Sequence, residues 1–205
     1  MKIAVVGGTG DFGAGLAARL VEVGEDVVIG SRDGERARAA AAEIGARGAA
    51  NDEAVAGADL VVLAVKADAA LETAAQLAVA IGTTPVLSVA SALRFTKAGV
   101  FPGEGPVSLA ERTQELLRAP VAAGLHSLAA ATLAEGKARG DALVCGDDED
   151  AKGLSLELAG RLVTGRALDA GPLASARALE GLTAVIVNLN KRYRAHAGVQ
   201  VTGIA

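Results

Sequence analysis

Three glycines near the start of the chain, Gly8, Gly10 and Gly13, have the spacing Gly-x-Gly-x-x-Gly. An apolar run at residues 3–6 precedes them, and apolar residues at helical spacing follow. At a strand-to-helix turn these glycines permit a tight bend, close approach of the backbone to a pyrophosphate and close helix packing. An ordinary glycine-rich turn is the alternative, because the motif alone is weak evidence. Its position directly after a strand favours a dinucleotide-binding site.

Polar residues at the end of the second predicted strand indicate which dinucleotide is bound. NAD-specific sites place an acidic side chain there to bond the ribose 2′-hydroxyl. This chain instead has Ser31 and Arg32, with Arg36 soon after. A hydroxyl and guanidinium groups can hold a 2′-phosphate that a carboxylate would repel, so the sequence predicts NADP. We predict Asp33 as a helix cap and Arg38 as a solvated charge, and a solvated position is also the alternative for Arg36.

Strand and helix patterns alternate along the chain between and after these motifs. This alternation predicts an α/β fold with a doubly wound, Rossmann-type parallel sheet. We place a boundary near residue 140, with residues 1–140 forming the nucleotide-binding domain. Residues 141–205 form a small C-terminal α/β extension that ends in a long helix. Residues 90–106 lack a regular pattern and follow a strand, where α/β proteins place ligand-binding loops.

Composition argues against several classes of protein. A formal charge of −4 and an aromatic content of 2% are not typical of a nucleic-acid-binding surface. The chain begins on a core strand, and its apolar runs are too short or too charged to span a bilayer, so we expect a cytoplasmic protein. The single cysteine, Cys145, is predicted to be buried rather than nucleophilic. The acidic residues 147–150 indicate a turn and a helix N-terminus, and we predict no metal site.

Residues 173–195 show one long helical pattern with a broad apolar face. That face consists of Leu179, Leu182, Val185, Ile186 and Leu189. We expect it to pack on the sheet and against a second copy of the chain, which predicts a homodimer. The alternative is that the helix only closes its own core.

Motifs along nearly the whole chain resemble those of the NADPH:coenzyme F420 oxidoreductases, enzymes that pass a hydride between NADP and a 5-deazaflavin. The two nucleotide-binding motifs are Val-Gly-Gly-Thr-Gly at residues 6–10 and Gly-Ser-Arg at residues 30–32. The more specific motifs are Phe-Thr-Lys-Ala-Gly at 95–99, Leu-His-Ser-Leu at 125–128, Val-Cys-Gly-Asp-Asp at 144–148, Leu-Asp-Ala-Gly-Pro-Leu at 168–173 and the stretch 182–188. A generic nucleotide-binding fold does not require these later motifs.

The resemblance implies two cofactors, NADP(H) and coenzyme F420, and a set of contacts for each. For NADP, the resemblance implies that Gly8 forms the turn and that the pyrophosphate is contacted by Thr9, Gly10, Asp11 and Phe12. It implies a 2′-phosphate site at Ser31, Arg32 and Arg36. It also implies that Val65 contacts the nicotinamide. For the deazaflavin, it implies contacts at Ser88, Val89, Ala90, Leu125, His126 and Leu128. The C-terminal extension then completes the deazaflavin site and the dimer contact.

Direct hydride transfer requires the two reacting carbons to be stacked in a dry, apolar slot, and the cofactors supply the reactivity. We therefore predict no catalytic acid or base. His126 is a candidate donor that orients the deazaflavin ring, and the alternative is a strand-end histidine whose hydrogen bonds are satisfied within the protein. A basic cluster is a candidate site for the acidic phosphate and glutamyl tail that the resemblance implies, although cations are favoured at a helix C-terminus anyway. The basic cluster comprises Lys191, Arg192, Arg194, His196, Arg94 and Lys97.

Two other functions use the same NADP-binding motifs. One is an NADPH-dependent imine or pyrroline-carboxylate reductase, which we disfavour because the chain lacks the all-helical extension of those enzymes. The other is a non-catalytic NADP-sensing regulatory protein, which would bind NADPH tightly without turnover.

Overall fold

The computed structural model, which describes residues 1–204, contains ten strands, of which eight form one main sheet. The strands are β1 (Lys2–Val6), β2 (Asp26–Ser31), β3 (Arg47–Ala50), β4 (Leu60–Leu63), β5 (Val86–Ser88), β6 (Leu93–Thr96), β7 (Gly99–Pro102), β8 (Val121–Gly124), β9 (Ala142–Gly146) and β10 (Ala167–Asp169). The order across the main sheet is β10-β9-β8-β5-β4-β1-β2-β3. The six strands from β8 to β3 are mutually parallel, as the alternating pattern predicts.

Helices cover both faces of this sheet because its central strands are apolar on both sides. The helices are α1 (Asp11–Glu22), α2 (Gly34–Glu43), α3 (Asn51–Val55), α4 (Ala67–Ile81), α5 (Leu109–Leu116), α6 (Ala130–Glu135), α7 (Glu149–Leu162) and α8 (Ala176–Tyr193). In β1, Ile3 and Val5 pack with residues of α1, α2, α6 and α7. Ala4 and Val6 face the opposite side, toward α3, α4, α5 and α8. The doubly wound architecture is therefore confirmed.

The two strands after residue 140 extend the same sheet but run in the opposite direction. β9 pairs antiparallel with β8, and β10 pairs parallel with β9. An apolar run does not encode its own direction, because the direction depends on where the preceding connection leaves the chain. The proposed division of the chain at residue 140 stays a prediction.

The segment 90–106, expected to be irregular, contains a second, two-stranded sheet formed by β6 and β7. Each strand of this hairpin has only four residues, and Val100 is the only one of the hairpin residues that is buried. The sequence therefore shows almost no alternation of apolar and polar residues there. The Asn188 side chain holds the hairpin on α8, since Val100 N donates to its Oδ1 (2.9 Å) and its Nδ2 donates to Val100 O (2.7 Å). Tertiary contacts rather than local patterning therefore order this segment.

The long C-terminal helix is confirmed as α8, which follows a single 3₁₀ turn at Leu173–Ser175. Its apolar face is divided between the interior and the surface. Leu179 and Ile186 are buried, whereas Val185 is 53% exposed and Leu189 is 38% exposed. The helix thus helps to close the core of its own chain and also presents apolar side chains at the surface.

Candidate functional site

A cavity of about 610 Å³ opens at the carboxyl edge of the sheet, where β1, β2 and β4 end. One side is lined by Gly7, Thr9, Gly10, Ser31, Arg32, Arg36 and Asn51, and the other by Ala64, Val65, Lys66, Asp68, Ala69, Glu72 and Thr73. Ligands of open α/β sheets bind at this edge. Six of the predicted site residues line the cavity: Thr9, Gly10, Ser31, Arg32, Arg36 and Val65.

The glycine turn after β1 is shaped by backbone contacts that leave no room for side chains. A Cβ on Gly13 would collide with the carbonyl oxygen of Gly7, and one on Gly8 would lie 2.9 Å from Cγ2 of Ile29. The left-handed φ of +83° belongs to Gly7, so the tight bend expected at Gly8 begins one residue earlier. Gly10 is the N-cap of α1 and makes no side-chain capping bond. This turn fits a phosphate group that accepts from backbone amides.

Ser31, Arg32 and Arg36 are gathered by the end of β2 and the first turn of α2. Asp33 is confirmed as the helix cap, since its Oδ1 accepts from the backbone nitrogens of Glu35 (3.0 Å) and Arg36 (3.2 Å). Within residues 1–204, neither Arg32 nor Arg36 pairs with an acidic side chain. These two exposed cations are therefore available to an anionic ligand.

Arg38 differs from its two neighbours because it is already paired. Its Nη2 lies 2.6 Å from Oε1 of Glu35, and this carboxylate raises the pKa of the Arg38 guanidinium above its ordinary value. It does not line the cavity. Arg38 is accordingly a surface charge, as predicted.

The residues expected to contact a deazaflavin lie beyond β4, where β5 and β8 end. These two strands are neighbours in the sheet. Ser88, Ala90, Leu125, His126 and Leu128 are all buried, and Val89 is half-buried against the core. The ends of β5 and β8 therefore form a buried, largely apolar region, and Val65 packs against the small cluster that contains Ala90.

Leu125 adopts a left-handed conformation, with φ of +64°. A β-carbon makes this conformation unfavourable by about 1 kcal/mol or more, and such residues are concentrated at functional sites. The turn closes when Leu128 N donates to Leu125 O at 3.0 Å. The chain therefore turns immediately after β8 ends at Gly124.

His126 is a buried neutral imidazole rather than a cation. Burial lowers its pKa to about 4, and the nearby backbone of Ala90 opposes only part of this shift. Neither ring nitrogen has hydrogen-bond geometry with any group of residues 1–204. A neutral imidazole carries one donor nitrogen and one acceptor nitrogen. The ring-orienting role of His126 stays a prediction.

Hydrogen bonds connect this loop to α8. Thr183 Oγ1 donates to the carbonyl oxygen of His126 at 2.9 Å. The hydroxyls of Ser91 and Thr183 lie 2.8 Å apart, so the segment after β5 is held by the same helix. The position of the deazaflavin-side loops thus depends on the C-terminal helix.

Three of the residues predicted for NADP do not line the cavity: Gly8, Asp11 and Phe12. None of the six residues predicted for the deazaflavin lines it either. Phe12 packs against the core, while Asp11 opens α1 on an exposed position. Asn51 at the start of α3, Lys66 before α4, and Asp68, Ala69, Glu72 and Thr73 within α4 line the cavity but were not predicted. The apolar run of β4 is the signal that could have identified Lys66 and the start of α4. β3, with the sequence Arg-Gly-Ala-Ala, gives no such signal for Asn51.

The remaining sequence candidates have structural explanations. Cys145 is fully buried, and burial raises the pKa of its thiol to about 12, so the thiolate needed for nucleophilic attack does not form near neutral pH. The acidic run begins α7, where the side chain of Asp148 accepts from Ala151 N at 2.8 Å. Among residues 1–204 there is no group of three or more His, Cys, Asp or Glu side chains that could hold a metal ion. Within the same residues, no helix is long and apolar enough to cross a membrane.

The doubly wound sheet, the glycine turn and the two unpaired cations that follow β2 define a Rossmann-type nucleotide-binding protein. Residues 2–92 match the family model for coenzyme F420-dependent NADP oxidoreductases. The whole chain is 38% identical to an F420-dependent NADP reductase of Methanothermobacter thermautotrophicus, covering 96% of that protein. It is 33% identical to the reductase of the same name from Methanocaldococcus jannaschii, covering 100% of this chain and 99% of that protein. The chain therefore belongs to the F420-dependent NADP reductase family, as its motifs predict.

Solved structures agree with this assignment. A putative F420-dependent NADP reductase from Arthrobacter sp. FB24 superposes with a TM-score of 0.87 at 27% identity, over 99% of this chain and 100% of that chain. A pyrroline-5-carboxylate reductase from Coxiella burnetii gives a TM-score of 0.65 at 15% identity, over 94% of this chain and 65% of that chain. The second similarity shows a shared fold, and that reductase contains a further region outside it.

Proposed function

We propose that this protein transfers a hydride between NADP(H) and coenzyme F420. One observation supports this most directly. The polar cavity that contains Arg32 and Arg36 adjoins, at Val65, a buried and largely apolar region, and the two lie at the ends of neighbouring strands of one sheet. Charge-bearing residues suit the phosphates of one carrier, and an apolar surface suits two stacked rings. The full-length relatives named as F420-dependent NADP reductases support the same reaction.

The proposed NADP site uses the residues around the glycine turn and the end of β2. Thr9 and Gly10, with Gly8 shaping the turn and Asp11 and Phe12 beginning α1, hold the pyrophosphate against backbone amides. Ser31, Arg32 and Arg36 bind the 2′-phosphate through charge-assisted hydrogen bonds. Val65 lies beside the nicotinamide.

The proposed deazaflavin site is formed by Ser88, Val89, Ala90, Leu125, His126 and Leu128. Bound there, the deazaflavin supplies the carbon that exchanges a hydride with the nicotinamide. Apolar side chains exclude water from the ring, and neutral His126 presents a hydrogen-bond donor or acceptor to a polar atom of it. The protein positions both carriers and provides no acid or base.

The basic cluster supports a proposal for the anionic tail of F420. Asn188 holds the β6–β7 hairpin on α8, and Lys191 and Arg192 lie three and four residues further along the same side of this helix. Lys97, at the tip of the hairpin, is exposed near this surface. We propose that these cations receive the phosphate and glutamate groups.

A homodimer is also part of the proposal. Exposed Val185 and Leu189 form an apolar strip along α8, with Phe95 of the hairpin 72% exposed. Covering this strip with the same face of a second copy would bury it symmetrically. Sedimentation at micromolar concentration tests this directly, because a monomer would contradict it. A cytoplasmic location stays a prediction.

The reaction is tested by mixing purified protein with NADPH and oxidised F420 and following the visible absorbance of the deazaflavin. We expect catalytic bleaching with NADPH and much slower bleaching with NADH. If NADPH binds without any bleaching, the protein is a sensor rather than a reductase. If a cyclic imine is reduced while F420 is ignored, the imine reductase alternative is correct.

A further inference from the structure

Glu180 of α8 is a buried carboxylate that bonds to another helix. The residue is 1% exposed, and its Oε1 accepts from the backbone nitrogens of Leu109 (2.7 Å) and Ala110 (3.2 Å). Burial raises the pKa of this carboxyl, and hydrogen bonds from these two backbone groups oppose part of the shift. Its Oε2 is buried and has no hydrogen-bond partner within residues 1–204. Burying such a group is unfavourable, so what its two hydrogen bonds maintain requires an explanation.

These two hydrogen bonds fix the start of α5 from outside that helix. The first backbone N–H groups of a helix have no partner within it. A local capping box satisfies one of them in α5, because Ser108 Oγ accepts from Glu111 N (3.0 Å) and Glu111 Oε2 accepts in turn from Ser108 N (2.8 Å). The N–H groups of Leu109 and Ala110 are bonded by Glu180, which is 71 and 70 residues away in the sequence. The local box therefore closes the helix end, and Glu180 holds that end against α8.

The residue that Glu180 holds belongs to the junction of the two proposed cofactor sites. Leu109 is 5% exposed and forms a small apolar cluster with Ala70 and Ala90. Val65 packs against the same cluster. Val65 is the proposed nicotinamide contact and Ala90 is a proposed deazaflavin contact. A displacement of Leu109 would therefore change the packing of one residue from each site.

We propose that Glu180 is a positioning residue for hydride transfer. It acts through Leu109, whose cluster sets the relative placement of Val65 and Ala90. The rate of transfer depends steeply on the placement of the two reacting carbons, and a misplacement of about 1 Å can lower it about 10²-fold. Glu180 is buried and does not line the cavity, so it supports the transfer step rather than the binding of NADP(H). The inference rests on the proposed function and adds to it a residue remote from both cofactors.

The test is the rate of a single turnover, measured by stopped-flow bleaching of oxidised F420 at saturating NADPH. We expect Glu180→Ala to lower this rate about ten- to hundredfold, while the calorimetric Kd for NADP⁺ stays within about twofold of the wild type. Glu180→Gln keeps an acceptor oxygen for Leu109 N and should retain the rate to within about threefold. Glutamine and alanine variants that are equally slow would overturn the inference, as would a rise in the NADP⁺ Kd that accounts for the whole loss.

Glu111→Ala is the matched control at the same helix end. It removes the carboxylate of the local capping box and leaves the hydrogen bonds of Glu180 in place. Both Glu111→Ala and Glu180→Ala should lower Tm, because each removes a partner of backbone N–H groups at the start of α5. Only Glu180→Ala should slow the turnover. If the two variants lose rate in proportion to their loss of Tm, the role of Glu180 is structural and the inference is wrong.

Amide hydrogen exchange checks the contact without either cofactor. Glu180→Ala should speed exchange at the amides of Leu109 and Ala110 by about tenfold relative to the wild type, and Glu111→Ala should not. Unchanged exchange at both amides in Glu180→Ala would contradict the inference. If the wild type does not bleach F420, the proposed function is wrong and the inference fails with it. If the wild type bleaches F420 and Glu180→Ala is equally fast, only the role of Glu180 is wrong.

Discussion

The two halves of the proposed site differ in how they prepare for a ligand. Around β1, β2 and β4 the cavity is polar, and its cations Arg32 and Arg36 remain exposed. Around β5 and β8 the residues are buried, Leu125 has an unfavourable backbone conformation and His126 lacks partners. The first half offers exposed cations, which suit an anionic ligand. The second is buried and largely apolar, which is the environment that hydride transfer between stacked carriers requires.

The halves also differ in what holds them. The glycine turn and the cap of α2 are maintained by contacts within a few residues, such as Asp33 with the amides of Glu35 and Arg36. The deazaflavin side depends on distant segments, because Thr183 and Asn188 of α8 hold the loop after β8 and the hairpin. Substitutions in α8 should therefore affect F420 more than NADPH.

The largest effect is expected from removing the cations of the polar half. The double variant Arg32→Ala/Arg36→Ala should raise KM for NADPH by about 10²–10⁴-fold, because each hydrogen bond to a charged group contributes roughly 1.5–3 kcal/mol. KM for NADH should change little. Steady-state kinetics with both nucleotides measure this, with Arg38→Ala as the matched control. An equal loss for NADH and NADPH would contradict the 2′-phosphate assignment.

A smaller effect is expected from the buried imidazole of the apolar half. His126 has a folded-state pKa of about 4, against about 6.5 when unfolded. Between these values the unfolded chain binds the extra proton, so His126 lowers stability as pH falls from 6.5 to 4, by about 3 kcal/mol in total. Urea unfolding of the wild type and His126→Leu at pH 7.5 and pH 4 checks this. The loss of stability should be smaller in the variant, and parallel losses would show that His126 is not buried and neutral.

A third substitution tests the dependence of the deazaflavin side on α8. Asn188→Ala removes both hydrogen bonds to Val100, so we expect KM for F420 to rise by roughly three- to tenfold while KM for NADPH stays within twofold. The half-buried Asn190, on the same helix, accepts from Ala197 N of the C-terminal segment and serves in Asn190→Ala as a control. A loss in KM for NADPH as large as that for F420 would mean that the two halves are not separately supported.

The smallest effect is expected at Cys145. Its thiol is buried and its pKa is raised to about 12, so thiol reagents should not label the folded protein between pH 7 and pH 9. Cys145→Ala should leave kcat and both KM values unchanged. Rapid labelling of the native protein with loss of activity would place Cys145 near the site after all.

The sequence alone determined the features that depend on neighbouring residues. The glycine spacing, the serine and arginines at the end of β2, the Asp33 cap and the burial of Cys145 follow from local sterics, capping and hydropathy. The motifs of the second half also indicate the family, because a generic nucleotide-binding fold does not require them. Long-range contacts set the other features: the reversed direction of β9, the hairpin held by Asn188 and the neutral state of His126. Strand pairing, desolvation and hydrogen-bond partners are set by residues far apart in the chain, so only the folded structure defines them.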